Sequence, residues 1–91
     1  MKLFDWNNNK NDWLKWERGV GFEDVLVALQ DNRLLDVLAN KKYLKQKIYV
    51  IEITGYVYLC PFVETEEKIF LKTIYPSRKA TKHYLIKDNK K

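Results

Sequence analysis

The chain has 91 residues, 46% of them hydrophobic, and a formal charge of +5. That length makes one domain, 1–91, with one core, apolar enough to fold without crosslinks. A single cysteine, Cys60, excludes an intramolecular disulfide, and one His beside one Cys gives no paired ligand spacing for a metal.

Residues 2–6 alternate in polarity and read as a short edge strand. Asn7, Asn8 and Asn9 supply helix N-cap candidates, and 9–18 carries a helical pattern. Trp13 and Trp16 share one face of that helix, read as a helix-to-sheet contact, with a base-stacking platform as the alternative. Gly19 is placed to end the helix in the left-handed conformation. Phe22, Val25, Leu26 and Leu29 form the apolar stripe of a second helix, with Glu23 and Asp24 in its first turn. Asp31 and Asn32 end it. Residues 33–38 read as a strand, the tail of the helix being the alternative, and 39–46 read as a polar, basic loop.

Three strands follow. Residues 47–53 are rich in β-branched side chains, Thr54-Gly55 forms a tight hairpin turn, and 56–63 alternate. Tyr56, Tyr58, Cys60 and Phe62 fall on one face, with both tyrosines and a buried, structural Cys60 assigned to the core. Pro61 cannot donate to a ladder, so it is expected at a bulge or with its nitrogen away from a partner. Residues 64–67 are a turn and 68–75 the third strand, with Phe70, Lys72 and Ile74 on one face. Pro76 ends it, and Ser77 caps a last helix running to about residue 87, with 87–91 a frayed basic tail. The class is α+β.

Charge is unevenly distributed. Residues 68–91 hold eight Lys or Arg against one acid, which is +7, leaving residues 1–67 at −2. A concentrated positive field attracts a polyanion, and nucleic acid is the first candidate. Arg78 and Lys82 are four apart on the last helix, as are Lys79 and His83, so each pair is expected to share a face. Arg78 opens that helix directly after the strand bearing Lys72, so a strand end and a helix start can converge on one phosphate. RNA cleavage through its own 2′-hydroxyl needs that hydroxyl deprotonated, the phosphorane charge neutralised and the leaving oxygen protonated. Arg and Lys supply the second requirement. A Lys, His83 or a tyrosine such as Tyr75 could supply the others, and aromatic faces can stack on bases. A plain solvent-exposed His83 and an Arg78 paired with Glu66 or Glu67 are the competing readings. A Ser77–His83–carboxylate triad is set aside, because Ser77 is accounted for as an N-cap.

The segment Phe4-Asp5-Trp6-Asn7-x-x-Lys10, followed by Arg18-Gly19-Val20-Gly21-Phe22-Glu23-Asp24, resembles the opening of BrnT-family toxins, F-E-W-D-x-x-K and K-H-G-V-S-F-E-E-A. Ser77-Arg78-Lys79-Ala80-Thr81 is similar to their S-A-R-K-A-T stretch, one residue shorter. The resemblance covers about 3–85. It implies a RelE-like fold: a small antiparallel sheet of three to five strands with two N-terminal helices and one C-terminal helix. It implies the toxin of a type II toxin–antitoxin pair, cleaving RNA without a cofactor or metal. Its partners would be RNA and a ribbon-helix-helix antitoxin, with operator DNA reached only through the antitoxin complex. By the same resemblance Arg78, Lys72, Lys10 and Arg18 stand at the catalytic positions, with Lys79 matching beside Arg78; Lys79, Lys82, His83 and Tyr75 are the expected RNA-binding residues, the last three from their spacing and chemistry rather than from the resemblance. Arg18 replaces the family's His before the Gly, and a guanidinium does not exchange its proton in proteins, so the chain sits on a variant branch. The alternatives are a non-catalytic nucleic-acid-binding or interaction module on the same fold, and a toxin-like subunit acting in operator binding. Cytoplasmic location, without membrane contact, is expected because no apolar run reaches transmembrane length and residues 1–6 lack a secretory signal.

Overall fold

The structure, a computed structural model, describes residues 2–86. The class is α+β: β1 (Leu3–Asp5), α1 (Asn8–Arg18), α2 (Phe22–Gln30), β2 (Leu34–Ala39), β3 (Gln46–Ile53), β4 (Tyr56–Glu64), β5 (Lys68–Leu71), β6 (Tyr75–Pro76) and α3 (Arg78–Thr81), which widens into a π-helical segment over Lys82–Ile86. The strands make one sheet in the order β1-β5-β4-β3-β2, with β6 continuing beside β4. The sheet is mixed and six-stranded, where an antiparallel sheet of at most five was expected, because β1 pairs parallel with β5. The segment 33–38 is the strand β2, paired antiparallel with β3, and the end of the last helix with the tail 87–91 lies outside the described residues.

Local chemistry sets the boundaries. The Asn7 side chain accepts the Lys10 N–H at 2.9 Å and starts α1; Gly19, at φ 71°, ends it. Thr54 and Gly55 both have positive φ, the type I′ geometry that matches the twist of a β3–β4 hairpin. Ser77 caps α3 by accepting the Ala80 N–H at 3.0 Å.

The core lies between α1–α2 and one sheet face. Leu14, Phe22, Val25 and Ala28 pack against Tyr49, Ile51, Cys60, Phe62, Leu71 and Ile74. Leu14 and Phe22 are fully buried, and truncating such a residue to Ala typically costs about 2–5 kcal/mol. The aromatic face of α1 is not the buried one. Trp13 and Trp16 are 42% and 85% exposed, so the expected Trp-to-sheet contact is overturned. Leu14 and Asn11 face inward instead. Buried Asn11 accepts the Phe22 N–H at 2.7 Å and donates to both oxygens of Glu23, which locks α1 to the start of α2. Gly21 allows that approach: a Cβ there would stand 2.8 Å from Asn11 Oδ1.

The chain leaves regular pairing at Pro61. Lys72 donates its N–H to the Pro61 carbonyl at 2.8 Å, but proline has no N–H to return. Leu71 pairs with Phe62 and Tyr75 with Leu59, so four steps on one strand span three on the other. Thr73 and Ile74 together oppose Cys60, a β-bulge. Pro61 therefore sits at a bulge, as expected of it. The bulge also corrects the expected side-chain set of this strand. Ile74 turns into the core, fully buried with Leu71, while Lys72 stays exposed on the opposite face, its ammonium 5.3 Å from the Phe70 ring.

Candidate functional site

The second sheet face carries Ile48, Leu59, Pro61, Phe70, Lys72 and Tyr75 by strand alternation and register. The short α3 and its π-helical continuation lean on it, chiefly through β4. Thr81 anchors them, accepting the Val57 N–H at 2.9 Å with its hydroxyl while Ser77 donates its N–H to the Val57 carbonyl. Tyr84 adds a tie to β2 by donating to Asp36 at 2.8 Å, and that bond raises the Tyr84 phenol's pKa.

Two cavities of about 540 Å³ each open on this face. In the first, Leu38 and Leu59 form an apolar floor and Lys79, Lys82 and His83 stand around it. In the second, Ile48 and Pro61 form the floor, and Lys42, Tyr43, Lys72 and Tyr75 are among its walls. The expected basic residues are thus divided. Lys79 and His83 share a cavity, as their spacing predicted. Lys82 joins them, and Arg78, expected to share a face with Lys82, lines neither cavity. Lys72 and Tyr75 belong to the other cavity, so the bulge separates Lys72 from the last helix.

A third group lies at the open edge beside the bulge. The Arg18 guanidinium donates to the Ile74 carbonyl and lies 5.0 Å from the centre of the Trp13 ring; Lys10 approaches the same ring at 4.5 Å. Lys10 and Arg18 are therefore brought together by Trp13, at the carbonyl preceding Tyr75. Arg18 thus holds a structural hydrogen bond between the end of α1 and the bulge.

Most of the cations on this side are left out of the ion pairs among the described residues. The five ion pairs among the described residues engage Lys2, Lys15, Arg33 and Lys68. Lys68 holds β1 through Asp5 at 3.2 Å, so it leaves the free basic cluster. Lys10, Lys42, Lys72, Arg78, Lys79 and Lys82 make no ion pair among the described residues, and the expected alternative pairing of Arg78 with Glu66 or Glu67 is absent there. Among the described residues no group of three metal-ligating side chains occurs, and no helix is long and apolar enough to cross a membrane. Cys60 is fully buried and burial pushes its thiol up to about 12.

The contribution of 39–46 to this face is not legible in its reading as a polar, basic loop. Its mixture of lysines, a tyrosine and amides was the available signal. Asn40 organises the turn, accepting the N–H groups of Lys42 at 2.9 Å and Tyr43 at 3.1 Å, and this sets both against Lys72 and Tyr75 across the cavity. Comparison with protein-family models and with curated proteins finds no match to this chain.

Proposed function

We propose that this protein binds single-stranded RNA across the open sheet face and cleaves it, as the toxin of a type II toxin–antitoxin pair. The observation that carries the reading is the set of cations around that face that make no ion pair among the described residues: Lys72 and Lys42 at one cavity, Lys79 and Lys82 at the other. A desolvating apolar floor beside unpaired cations favours a ligand that offers phosphates and stacking faces together. The resemblance to BrnT-family toxins supplies the reaction and the antitoxin partner. In this reading Lys72 neutralises phosphorane charge and Tyr75, in the same cavity, moves the proton, while Arg78, outside both cavities, holds a flanking phosphate.

Expression of the chain alone should arrest growth, and co-expression of a ribbon-helix-helix antitoxin from its genomic neighbourhood should relieve the arrest. Purified protein should shorten single-stranded RNA without added metal. Normal growth at high soluble expression, with RNA left intact, rules the reading out.

A second reading is favoured by Arg18. Its guanidinium cannot take a proton and is occupied by Trp13 and the Ile74 carbonyl. A non-catalytic RNA-binding module on the same face predicts tight, salt-sensitive RNA binding with no cleavage. The same RNA incubation separates the two.

A further inference from the structure

We infer that the second cavity is a base-reading subsite for one splayed-out RNA nucleotide, with Gln46 as the residue that chooses the base; this deepens the proposed RNA reading and rests on it. The cavity, about 540 Å³, has the size of a small-ligand site. Its walls combine what a nucleotide requires. Tyr43 and Tyr75 offer ring faces, while Lys42 and Lys72 offer charge for the flanking phosphates. Lys42 already lies 5.5 Å from the Tyr43 ring. A double-stranded RNA cannot present a base this way, so the ligand is a single strand.

The hydrogen bonds decide which half of Gln46 is available. Asn40 Oδ1 is committed to the Lys42 and Tyr43 N–H groups. The Asn40 Nδ2 must then face outward, and it donates to Gln46 Oε1 at 3.3 Å. That leaves the Gln46 Nε2 group as the uncommitted end, a pure donor. A donor pairs with a keto oxygen and clashes electrostatically with an exocyclic amino group. The subsite takes the pyrimidine with its C4 edge toward Gln46, where uracil carries a keto oxygen and cytosine an amino group, so it should select uracil over cytosine. One hydrogen bond is worth about a three- to tenfold preference.

The test is fluorescence anisotropy of the full chain with labelled RNA octamers of uracil and of cytosine, at one salt concentration. Wild type should bind the uracil octamer about three- to tenfold more tightly. Gln46→Ala should lose that preference. Gln46→Glu, which presents a carboxylate oxygen in place of the amide nitrogen, should invert the ratio even though both affinities fall. Tyr43→Ala should weaken both octamers by about tenfold. The ratio of the two affinities is the readout, and it holds even where a variant lowers the folded fraction. Equal wild-type affinities, or a ratio unmoved by both Gln46 variants, overturns the subsite. So does absence of RNA binding. Growth arrest and RNA cleavage with a ratio blind to Gln46 would leave the toxin reading standing without this subsite. A Gln46-dependent ratio in a protein that neither arrests growth nor cleaves RNA would leave the subsite standing without the toxin reading.

Discussion

The Arg18 guanidinium donates to the main-chain carbonyl of Ile74 and covers the Trp13 ring in the same pose. One planar cation thereby ties the end of α1 to the β-bulge. The Ile74 carbonyl lies beyond the end of β5, where β1 no longer pairs, so without Arg18 it would lose its only described partner. Arg18→Ala should destabilise the fold by about 1–3 kcal/mol, read by urea unfolding. Arg18→Lys should recover only part of this, because an ammonium cannot lie flat on Trp13 and donate in that direction at once. An unchanged unfolding midpoint in both variants would show the bond to be incidental.

Arg78 should matter more to function than any other single cation. It is exposed at the first residue of α3, and among the described residues no carboxylate pairs with it. Arg78→Ala should abolish growth arrest while circular dichroism stays native. Arg78→Lys should already impair it, because only the guanidinium grips two phosphate oxygens together. Ala at Lys87, Lys90 and Lys91, outside the described residues, should change RNA affinity only modestly. Continued growth arrest by Arg78→Ala would make it an ordinary surface residue.

RNA affinity should fall steeply with salt. Each phosphate neutralised contributes a slope of roughly 0.7 in log affinity against log salt for a single strand. Titrations between about 50 and 200 mM salt cover the sensitive range. Replacing Lys72 or Lys79 by Ala should reduce the slope by about one phosphate each. A flat response would mean that this field does not bind RNA.

Cys60 should be inert. It is fully buried opposite the bulge, with its thiol pushed up to about 12 by burial, so almost no thiolate exists near neutrality. A thiol reagent should label the native protein only as fast as it unfolds. Cys60→Ala should cost about 1–2 kcal/mol, as a small cavity would, without altering RNA binding. Rapid native labelling with loss of binding would contradict this.

Acid should loosen the contacts at β1 and between α1 and α2. The Asn11 amide, then a backbone N–H and Lys15, hold the Glu23 carboxyl below the usual range. Asp5 is lowered by the Trp6 N–H and then Lys68, and Glu64 by Lys2. Each depressed carboxylate contributes stability that is present above its ordinary pKa. That contribution is lost as pH falls through the lowered value. Stability should therefore be level above about pH 5 and decline below about pH 4, where carboxylates begin to protonate. Glu23→Gln, which cannot titrate, should flatten part of that decline in urea midpoints measured against pH. A slope identical to wild type would remove Glu23 from the account.

The elements themselves were legible in the sequence because each is fixed by neighbours along the chain. Asn7, Gly19, Thr54-Gly55 and Ser77 mark their turns and caps through local backbone geometry, and Pro61 announced a bulge by lacking an N–H. The α+β class followed from the order of those elements. What the chain could not declare is which faces meet. The two tryptophans of α1 outweigh Leu14 and Asn11 in hydrophobic content, yet the inward face is chosen by the hydrogen bonds of Asn11 to α2, a contact set by tertiary packing. A single residue in excess between Leu71 and Tyr75 reversed Ile74 relative to Lys72, since strand side chains alternate and one inserted residue exchanges the faces. The same bulge divided the basic cluster between two cavities and brought Asn40, Tyr43 and Gln46, remote in sequence, against Lys72 and Tyr75. Sequence placed the positive charge in the last third of the chain; only the register of β4 against β5 and β6 decided which of those charges face one another.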